Sequence, residues 1–514
     1  MPPSGRLRRG LVLVATSLAA FTATLDNTVV AVALRDLQTD LGAGVAELQG
    51  VVTAYTVALA ALLLTGGTLA DVLGRRRVLL TGLAVFAAAS AGCAVADSAG
   101  ALIGARAVQG AGAALVLPGA LAVLAAAYPE PRLRARAVGI WAATGAVALV
   151  AGPLVGGLLV ASSGWPAVFW VNVPLCAAVA LVVCLVPSGP APATTRRLDL
   201  PGQALAATGL AALTYAVVLG GRDGLGAPVL VSGAVGIACL TGFLVVERRA
   251  ADPVLPLALL RRPGLVGATV GAFAASLAVF VLLVFLSLFL QLVQEREALP
   301  TALRLMPLTV ALVVTAPLAG RLAASRGPRG PVVAGLLLTA VGLALVGLRL
   351  DPELADRELV LLLALCGVGI GLTTAPVVTA SLDAVSDERS GLAAATVNVA
   401  RELGGVVAVA GLGAVVVARL GGDLLGRLLG LGVPGGRADD LVEALLRGAS
   451  QSEVLELSSG QVPLEVLLQL RGVAETSYVG SVQLALVGAA LLLAGSAVLC
   501  ARLLESGVDQ LDHA

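Results

Sequence analysis

Apolar runs long enough to cross a bilayer follow one another along the chain, broken by short polar turns rich in arginine. A helix spanning the hydrocarbon core needs roughly 20 apolar residues. Fourteen stretches meet that length, beginning near Leu11, Leu48, Val78, Ala101, Ala135, Ala167, Pro201, Pro228, Leu265, Thr301, Pro331, Leu359, Leu392 and Val479. The pattern predicts an all-α polytopic membrane protein with its 14 transmembrane helices in a 6+2+6 arrangement. A six-helix bundle is expected over 1–187, connectors and two extra transmembrane helices over 188–263, and a second six-helix bundle over 264–514. The one long polar segment, at about 420–478, separates the last two spans. It carries two amphipathic runs, Ala438 to Arg447 and Pro463 to Arg471, that cover the mouth on that side, contact a partner or serve as a plain spacer.

Composition sharpens this reading. Hydrophobic residues make up 58% of the chain and charged residues 13%, where a soluble domain carries about a quarter charged. Every basic residue is arginine, and Arg6, Arg8, Arg9, Arg132, Arg134, Arg136, Arg248, Arg249, Arg261 and Arg262 all fall in the loops on the side of the N-terminus. By the positive-inside rule that side is cytoplasmic. The segment from Leu420 to Tyr478, acidic on balance, then lies outside, and both termini lie in the cytoplasm of a cell-membrane protein. The net charge of +1 conceals this polarity and points to no nucleic acid. The run after Arg9 is too long for a signal peptide and reads as the first span. Cys93, Cys176, Cys184, Cys239, Cys366 and Cys500 stand singly in or at the ends of spans, without C-x-x-C spacing, so neither disulfides nor a metal site is expected.

Absent residue types bound the energy source. Without lysine there is no G-x-x-x-x-G-K-[ST] nucleotide loop, and the single histidine, His513, lies in the C-terminal tail. A proton crossing the spans must therefore ride on a carboxylate. Proton movement down the membrane potential supplies about 2.3 kcal/mol per 100 mV, so the expectation is a carrier that needs no cofactor and draws on the proton gradient.

Between the second and third spans lies Gly67-Thr-Leu-Ala-Asp71-Val-Leu-Gly74-Arg75-Arg76-Arg77. Asp71 falls at the exit of a helix, where the helix dipole disfavours negative charge, and so needs a cation or the N-terminus of another helix. Gly320-Arg321-Leu322-Ala323-Ala324-Ser325-Arg326-Gly327-Pro328-Arg329 aligns to Gly67 through Arg76 without a gap, as parallel repeats would. Ala324 stands in place of Asp71, so only the N-terminal copy keeps the acid.

Within the spans, Asp26 lies in the outer half of the first, followed by Asn27, and Arg106 lies at a similar depth in Leu102-Ile-Gly-Ala-Arg106-Ala-Val-Gln109-Gly110-Ala-Gly112. An ionised carboxylate at that depth is costly, so Asp26 is the first candidate to take up and release a proton, and Arg106 is the candidate to modulate it. The alternatives are an acid held by a neighbour for packing and an arginine snorkelling to the outer interface. Gly110 and Gly112 permit close helix approach. In the fifth span, Pro153 interrupts the backbone ladder, and Gly152, Gly156 and Gly157 offer a small-residue face that either gates the carrier or simply packs helices. Further polar residues in spans, Tyr55, Gln291, Asn398, Arg401 and Glu402, join Asn27 and Gln109 as expected cavity-lining positions, with Glu402 the reserve proton carrier.

These segments resemble the fourteen-span drug:proton antiporter family of the major facilitator superfamily. The likeness includes Asn172-Val173-Pro174, Leu198-Asp199, Phe289-Leu290-Gln291 and Arg401-Glu402-Leu403-Gly404-Gly405. It implies that Asp71 with Gly67, Gly74 and Arg75 locks the two halves, that Arg106 is tied to proton transfer, and that Gly152-Pro153 with Gly156-Gly157 marks an antiporter. Glu402 departs from the family pattern, which has an uncharged residue there. The chain is read as a monomeric exporter of drug-like amphipathic small molecules in exchange for protons across the lipid bilayer, not an enzyme. A dedicated exporter of one metabolite, antibiotic or lipid, and a non-transporting receptor or scaffold, are the alternatives.

Overall fold

The computed structural model describes residues 5–43, 45–185, 199–223, 226–250, 261–294, 298–386, 389–430 and 464–504, with 296, 433–436, 438 and 441–442 between them. Each of the fourteen expected stretches falls on a helix. In chain order these are α1 (Gly5–Leu41), α2 (Val45–Leu73), α3 (Arg75–Ala94), α4 (Ala99–Ala127), α5 (Pro131–Ser163), a short α6 (Ala167–Trp170) leading into α7 (Asn172–Leu185), α8 (Leu200–Asp223), α9 (Ala227–Glu247), α10 (Pro263–Leu288), α11 (Ala298–Arg326), α12 (Arg329–Arg349), α13 (Asp356–Asp383), α14 (Ser390–Val406), α15 (Gly413–Gly430) and α16 (Leu464–Leu503). A π-helical turn at Phe289–Val293 ends α10, and a second at Val407–Leu412 joins α14 to α15. Eleven described segments are long and apolar enough to cross a membrane; α5, α8 and α14–α15 fall outside that set.

Local chemistry sets the helix boundaries. Both copies of the hairpin repeat turn on a glycine with positive φ, Gly74 at 100° and Gly327 at 81°, a backbone conformation that a Cβ disfavours. The expected polar segment is shorter than its sequence suggests. α15 runs on to Gly430, α16 begins at Leu464, and the second amphipathic run therefore largely forms the first turns of the last helix. The first run lies mostly outside the described residues.

α1 to α7 pack on one another, α10 to α16 form a second group, and α8 and α9 pair together with α8 against α2. The two groups meet at the ends that carry the repeated hairpins. Here Gly67 of α2 lies against Gly391 and Ala395 of α14, and a Cβ on Gly67 would come within 2.5 Å of the Ala395 methyl. The second copy repeats the contact: Gly320 of α11 lies against Ala135 and Gly139 of α5. One buried apolar cluster ties these ends together, joining Leu121, Leu124, Val138 and Trp141 with Leu312, Ala316 and Ala380. At the opposite ends, the cluster built on Val29, Val30, Leu37, Val51, Leu102 and Phe169 contains residues of the first group alone. The groups are thus joined on the hairpin side, while this further cluster belongs to one group alone.

Candidate proton-coupling site

Helix α4 begins at a Ser98 cap, whose Oγ accepts from Ala101 N at 3.4 Å, and carries Arg106 about two turns into the bilayer region. Its glycines let neighbours close in. A Cβ on Gly110 would strike the Tyr55 carbonyl of α2, and one on Gly112 would lie 2.7 Å from Phe86 N of α3. These approaches draw Tyr55 and Ser90 around Arg106 and Gln109, while α1 supplies Asp26 and the start of α7 supplies Asn172.

The outcome is a closed polar network in which Asp26, Ser90, Arg106, Gln109, Asn172 and Tyr55 are all fully buried. Arg106 Nη1 donates to Asp26 Oδ2 at 2.5 Å and to Gln109 Oε1 at 2.8 Å. Asp26 Oδ1 accepts from Gln109 Nε2 at 2.8 Å and from Asn172 Nδ2 at 2.7 Å. Both amides also donate to Ser90 Oγ, at 3.1 and 3.0 Å, and that hydroxyl donates to the Phe169 carbonyl at 2.8 Å. Arg106 Nε donates to the Val51 carbonyl, and the guanidinium lies 4.3 Å from the centroid of the Tyr55 ring. Arg106 Nη2 has no hydrogen-bond partner among the described residues; the ring face of Tyr55 offsets part of that deficit by a cation–π contact. Two opposite charges removed from water are stable together only with such geometry.

The expected meeting of Asp26 and Arg106 is what the fold contains. Two other expectations are corrected. Tyr55 and Gln109 do not line a cavity: the Tyr55 hydroxyl donates to the Ala23 carbonyl, and Gln109 bridges the pair from inside. Ser90 belongs to no motif in the sequence, and Asn172 only to the Asn172-Val173-Pro174 likeness. Their signal is a small polar residue in an otherwise apolar run, which periodicity alone does not rank. Asn27 is half-buried beside the network, and Gln291 is exposed, its Nε2 donating to Ser287 Oγ.

Asp71 meets the N-terminus of another helix, as its position calls for. It is 5% exposed, and its two oxygens accept from Gly391 N at 2.9 Å and Leu392 N at 3.0 Å, the first turn of α14. A carboxylate from one group therefore caps a helix of the other. Arg75 is half-buried, and Arg76 donates to the Cys184 carbonyl. Beside the second copy, where Ala324 supplies no acid, Arg134 of α5 instead pairs with Asp383 at the end of α13.

Of the two readings of the fifth-span glycines, the contacts favour helix packing. α5 stays helical through position 153. A Cβ on Gly152 would collide with Thr28, and one on Gly156 would lie 2.8 Å from Val29 Cγ2, while Gly157 has nothing within 4 Å. These contacts join α5 to α1 within the first group, so a bulky residue at Gly156 displaces the α1 segment that carries Asp26 and does not force the groups apart. Gly156→Leu is accordingly expected to lower the coupled transport that the resemblance implies by about tenfold or more through a misplaced Asp26, a 1 Å error being enough for such losses. Gly157→Ala should transport as wild type. Equal rates for the two variants in inverted vesicles would show that the α1–α5 contact does not hold the site.

Comparison with known proteins places this arrangement. The sequence pattern of the Major Facilitator Superfamily matches residues 16–409. The multidrug resistance protein Stp of Mycobacterium tuberculosis is 37% identical over 420 residues, covering 80% of this chain and 77% of that protein. The drug efflux pump JefA of the same species is 31% identical over 513 residues, covering 96% and 97%. Among solved structures, the human organic anion transporter TETRAN matches with a TM-score of 0.55 at 19% identity, over 80% of this chain and 94% of that one, a likeness of fold.

Proposed function

The chain belongs to the major facilitator superfamily, a family of membrane transporters and not of enzymes, and from that premise we propose that it exports drug-like amphipathic molecules across the cytoplasmic membrane in exchange for protons. Relatives named for multidrug resistance and drug efflux support the cargo class. The observation that carries the coupling is the buried Asp26–Arg106 pair. Protonation of Asp26 turns an acceptor oxygen into a donor and cancels the charge that holds Arg106 Nη1. Arg106, Gln109 and Asn172 must then find new partners, and the packing of α1 against α2, α4 and α7 changes with them.

On this reading 1–187 and 264–514 are two bundles that rock about a central cavity, 188–263 adds connectors and two flanking spans, and both termini are cytoplasmic. The hairpin side is then the cytoplasmic gate, closed here by Asp71 and by Arg134 with Asp383, and the cavity faces out. The protein works as a monomer, with protons and a small molecule as its ligands. The test is export from proteoliposomes of purified protein: an imposed pH gradient should drive uphill movement of a fluorescent amphiphile, and collapsing the gradient with an ionophore should stop it. Movement that ignores the gradient would end the antiport reading.

A further inference from the structure

The two amides that hold Asp26 differ in their hydrogen bonding. Gln109 is saturated at both ends: Nε2 donates to Asp26 Oδ1 and Ser90 Oγ, and Oε1 accepts from Arg106 Nη1 and from the Cys93 thiol. Ser90 Oγ accepts from both amides and donates to the Phe169 carbonyl. Asn172 is saturated at one end only. Its Nδ2 donates to Asp26 Oδ1 at 2.7 Å and to Ser90 Oγ at 3.0 Å, while its Oδ1, on a side chain with 0% exposure, has no hydrogen-bond partner among the described residues. A buried acceptor without a donor is costly. Asn172 holds it there because an ionised carboxylate only accepts, so the amide must present its NH2.

Protonation of Asp26 reverses that demand. The ionisable groups whose charges act with that of Asp26 are Arg106 of α4, Tyr55 of α2, Cys93 of α3 and Cys176 of α7. The parts of α5 and α6 beside it, Gly152 to Gly156 and Ala167 to Trp170, contain none. Arginine, tyrosine and cysteine ordinarily hold their protons at neutral pH, so Asp26 is the member of this set that gains one. An O–H at Oδ1 then needs an acceptor, and Asn172 Oδ1 is the acceptor without a donor. Gln109 cannot turn without withdrawing Oε1 from Arg106. Asn172 can turn about its last side-chain bond, a broad, roughly two-fold torsion, which brings Oδ1 to the place of Nδ2, between Asp26 Oδ1 and Ser90 Oγ.

We propose that Asn172 reads the protonation state of Asp26: it donates to the carboxylate, turns over when Oδ1 takes a proton, and then accepts from the new O–H. One O–H bond forms on Asp26 with a proton delivered by hydronium, which leaves as water, and no other covalent bond is made or broken. The turned carbonyl has a second lone pair, which draws the Ser90 hydroxyl away from the Phe169 carbonyl. That release falls at the junction of α6 and α7, where Pro174 gives no N–H to the Trp170 carbonyl and the backbone is already short of one bond. Asp26 on α1 thereby acts on the α6–α7 junction through Asn172 and Ser90. Asn172 is a positioning residue in this scheme, which deepens the antiport reading and rests on it for the transport arm of the test.

The chain has three asparagines, Asn27, Asn172 and Asn398, so asparagine carrying carbon-13 at the side-chain carbonyl marks Asn172 against a background of two. Asn27 is half-buried beside the network, and Asn398 lies on α14 of the other group, with the half-buried Arg401 and Glu402. Infrared difference spectra of the full chain in nanodiscs, low pH minus high, should show the protonated carboxyl band of Asp26 at its hydrogen-bonded, low-frequency end. One labelled amide band should fall in frequency with it, as the bare carbonyl gains donors. Asn172→Ala should remove the amide change and raise the carboxyl band, and Asn172→Gln, which keeps an amide, should bring the carboxyl band back down. In proteoliposomes Asn172→Ala should lower the turnover of pH-driven export about tenfold with the cargo KM unchanged, a split that lost packing would not give. An Asp26 carboxyl band in wild type with no labelled amide shift overturns the switch, and this measurement needs no variant to fold; gradient-driven export in the same protein would leave the antiport reading standing. If the low-pH spectrum has no carboxyl band that disappears in the protein with both Asp26→Asn and Arg106→Gln, Asp26 does not titrate, and the switch and the coupling reading fall together. The amide shift in a protein whose export ignores the pH gradient keeps the switch and removes antiport.

Discussion

Replacing Asp26 with asparagine is expected to abolish pH-driven export and also to lower the stability of the protein. An amide cannot release a proton, so the coupling step is lost. The second effect comes from the neighbours. Asp26 Oδ1 accepts two amide donors and Oδ2 accepts Arg106, so either orientation of an asparagine aims its NH2 at a donor. It also leaves a fully buried guanidinium without its counter-charge, a loss worth about 3–5 kcal/mol in comparable buried pairs. Asp26→Asn combined with Arg106→Gln removes the imbalance and should recover most of that stability while export stays at background. Thermal unfolding in detergent and export from proteoliposomes read the two effects separately. Gradient-driven export at the wild-type rate in Asp26→Asn would take Asp26 out of the mechanism, and a double variant no more stable than the single one would show that the pair does not hold the bundle together.

How far the sequence carries depends on the kind of residue. Fourteen apolar runs specify fourteen helical segments because a bilayer leaves the backbone almost no alternative. The gapless match of Gly67–Arg76 to Gly320–Arg329 marks the hairpins because the turn needs a positive-φ glycine at Gly74 and Gly327. The partnership of Asp26 with Arg106 is legible from depth alone, as charges at one level of a membrane seek one another. What escapes is azimuth. Tyr55 and Gln109 are polar residues in spans, and nothing in their spacing tells whether they face a cavity or a buried ion pair. The same holds for Gly156 and Gly157: adjacent in sequence, they point about 100° apart, and only the former meets α1. Ser90 is harder still, since one hydroxyl in an alanine-rich run suits a packing role equally well.

Asp71→Ala is expected to impair transport far more than Arg321→Ala, and the reason lies in an asymmetry between the two repeated contacts. Gly67 against Gly391 and Ala395 and Gly320 against Ala135 and Gly139 are the same contact made twice, which brings the N-terminus of α14 or of α5 to the hairpin of the other group. Only the first has a carboxylate there. Asp71 accepts from two backbone N–H groups of α14, and a buried charge in that position stabilises the closed hairpin side by about 2 kcal/mol. Removing it shifts the ratio of closed to open states by roughly 30-fold. Arg321 is exposed on α11, and the contact beside it is held instead by Arg134 with Asp383, so its loss leaves the gate as it was. Spin labels on the exposed Leu73 and Arg326, one on each group, report the closure as a distance. Asp71→Ala should move that distribution towards longer separations and slow cycling by about tenfold, while Arg321→Ala keeps both at wild-type values. Equal distributions in the two variants would mean that the hairpin is a topological turn and that the α14 cap does not hold the gate.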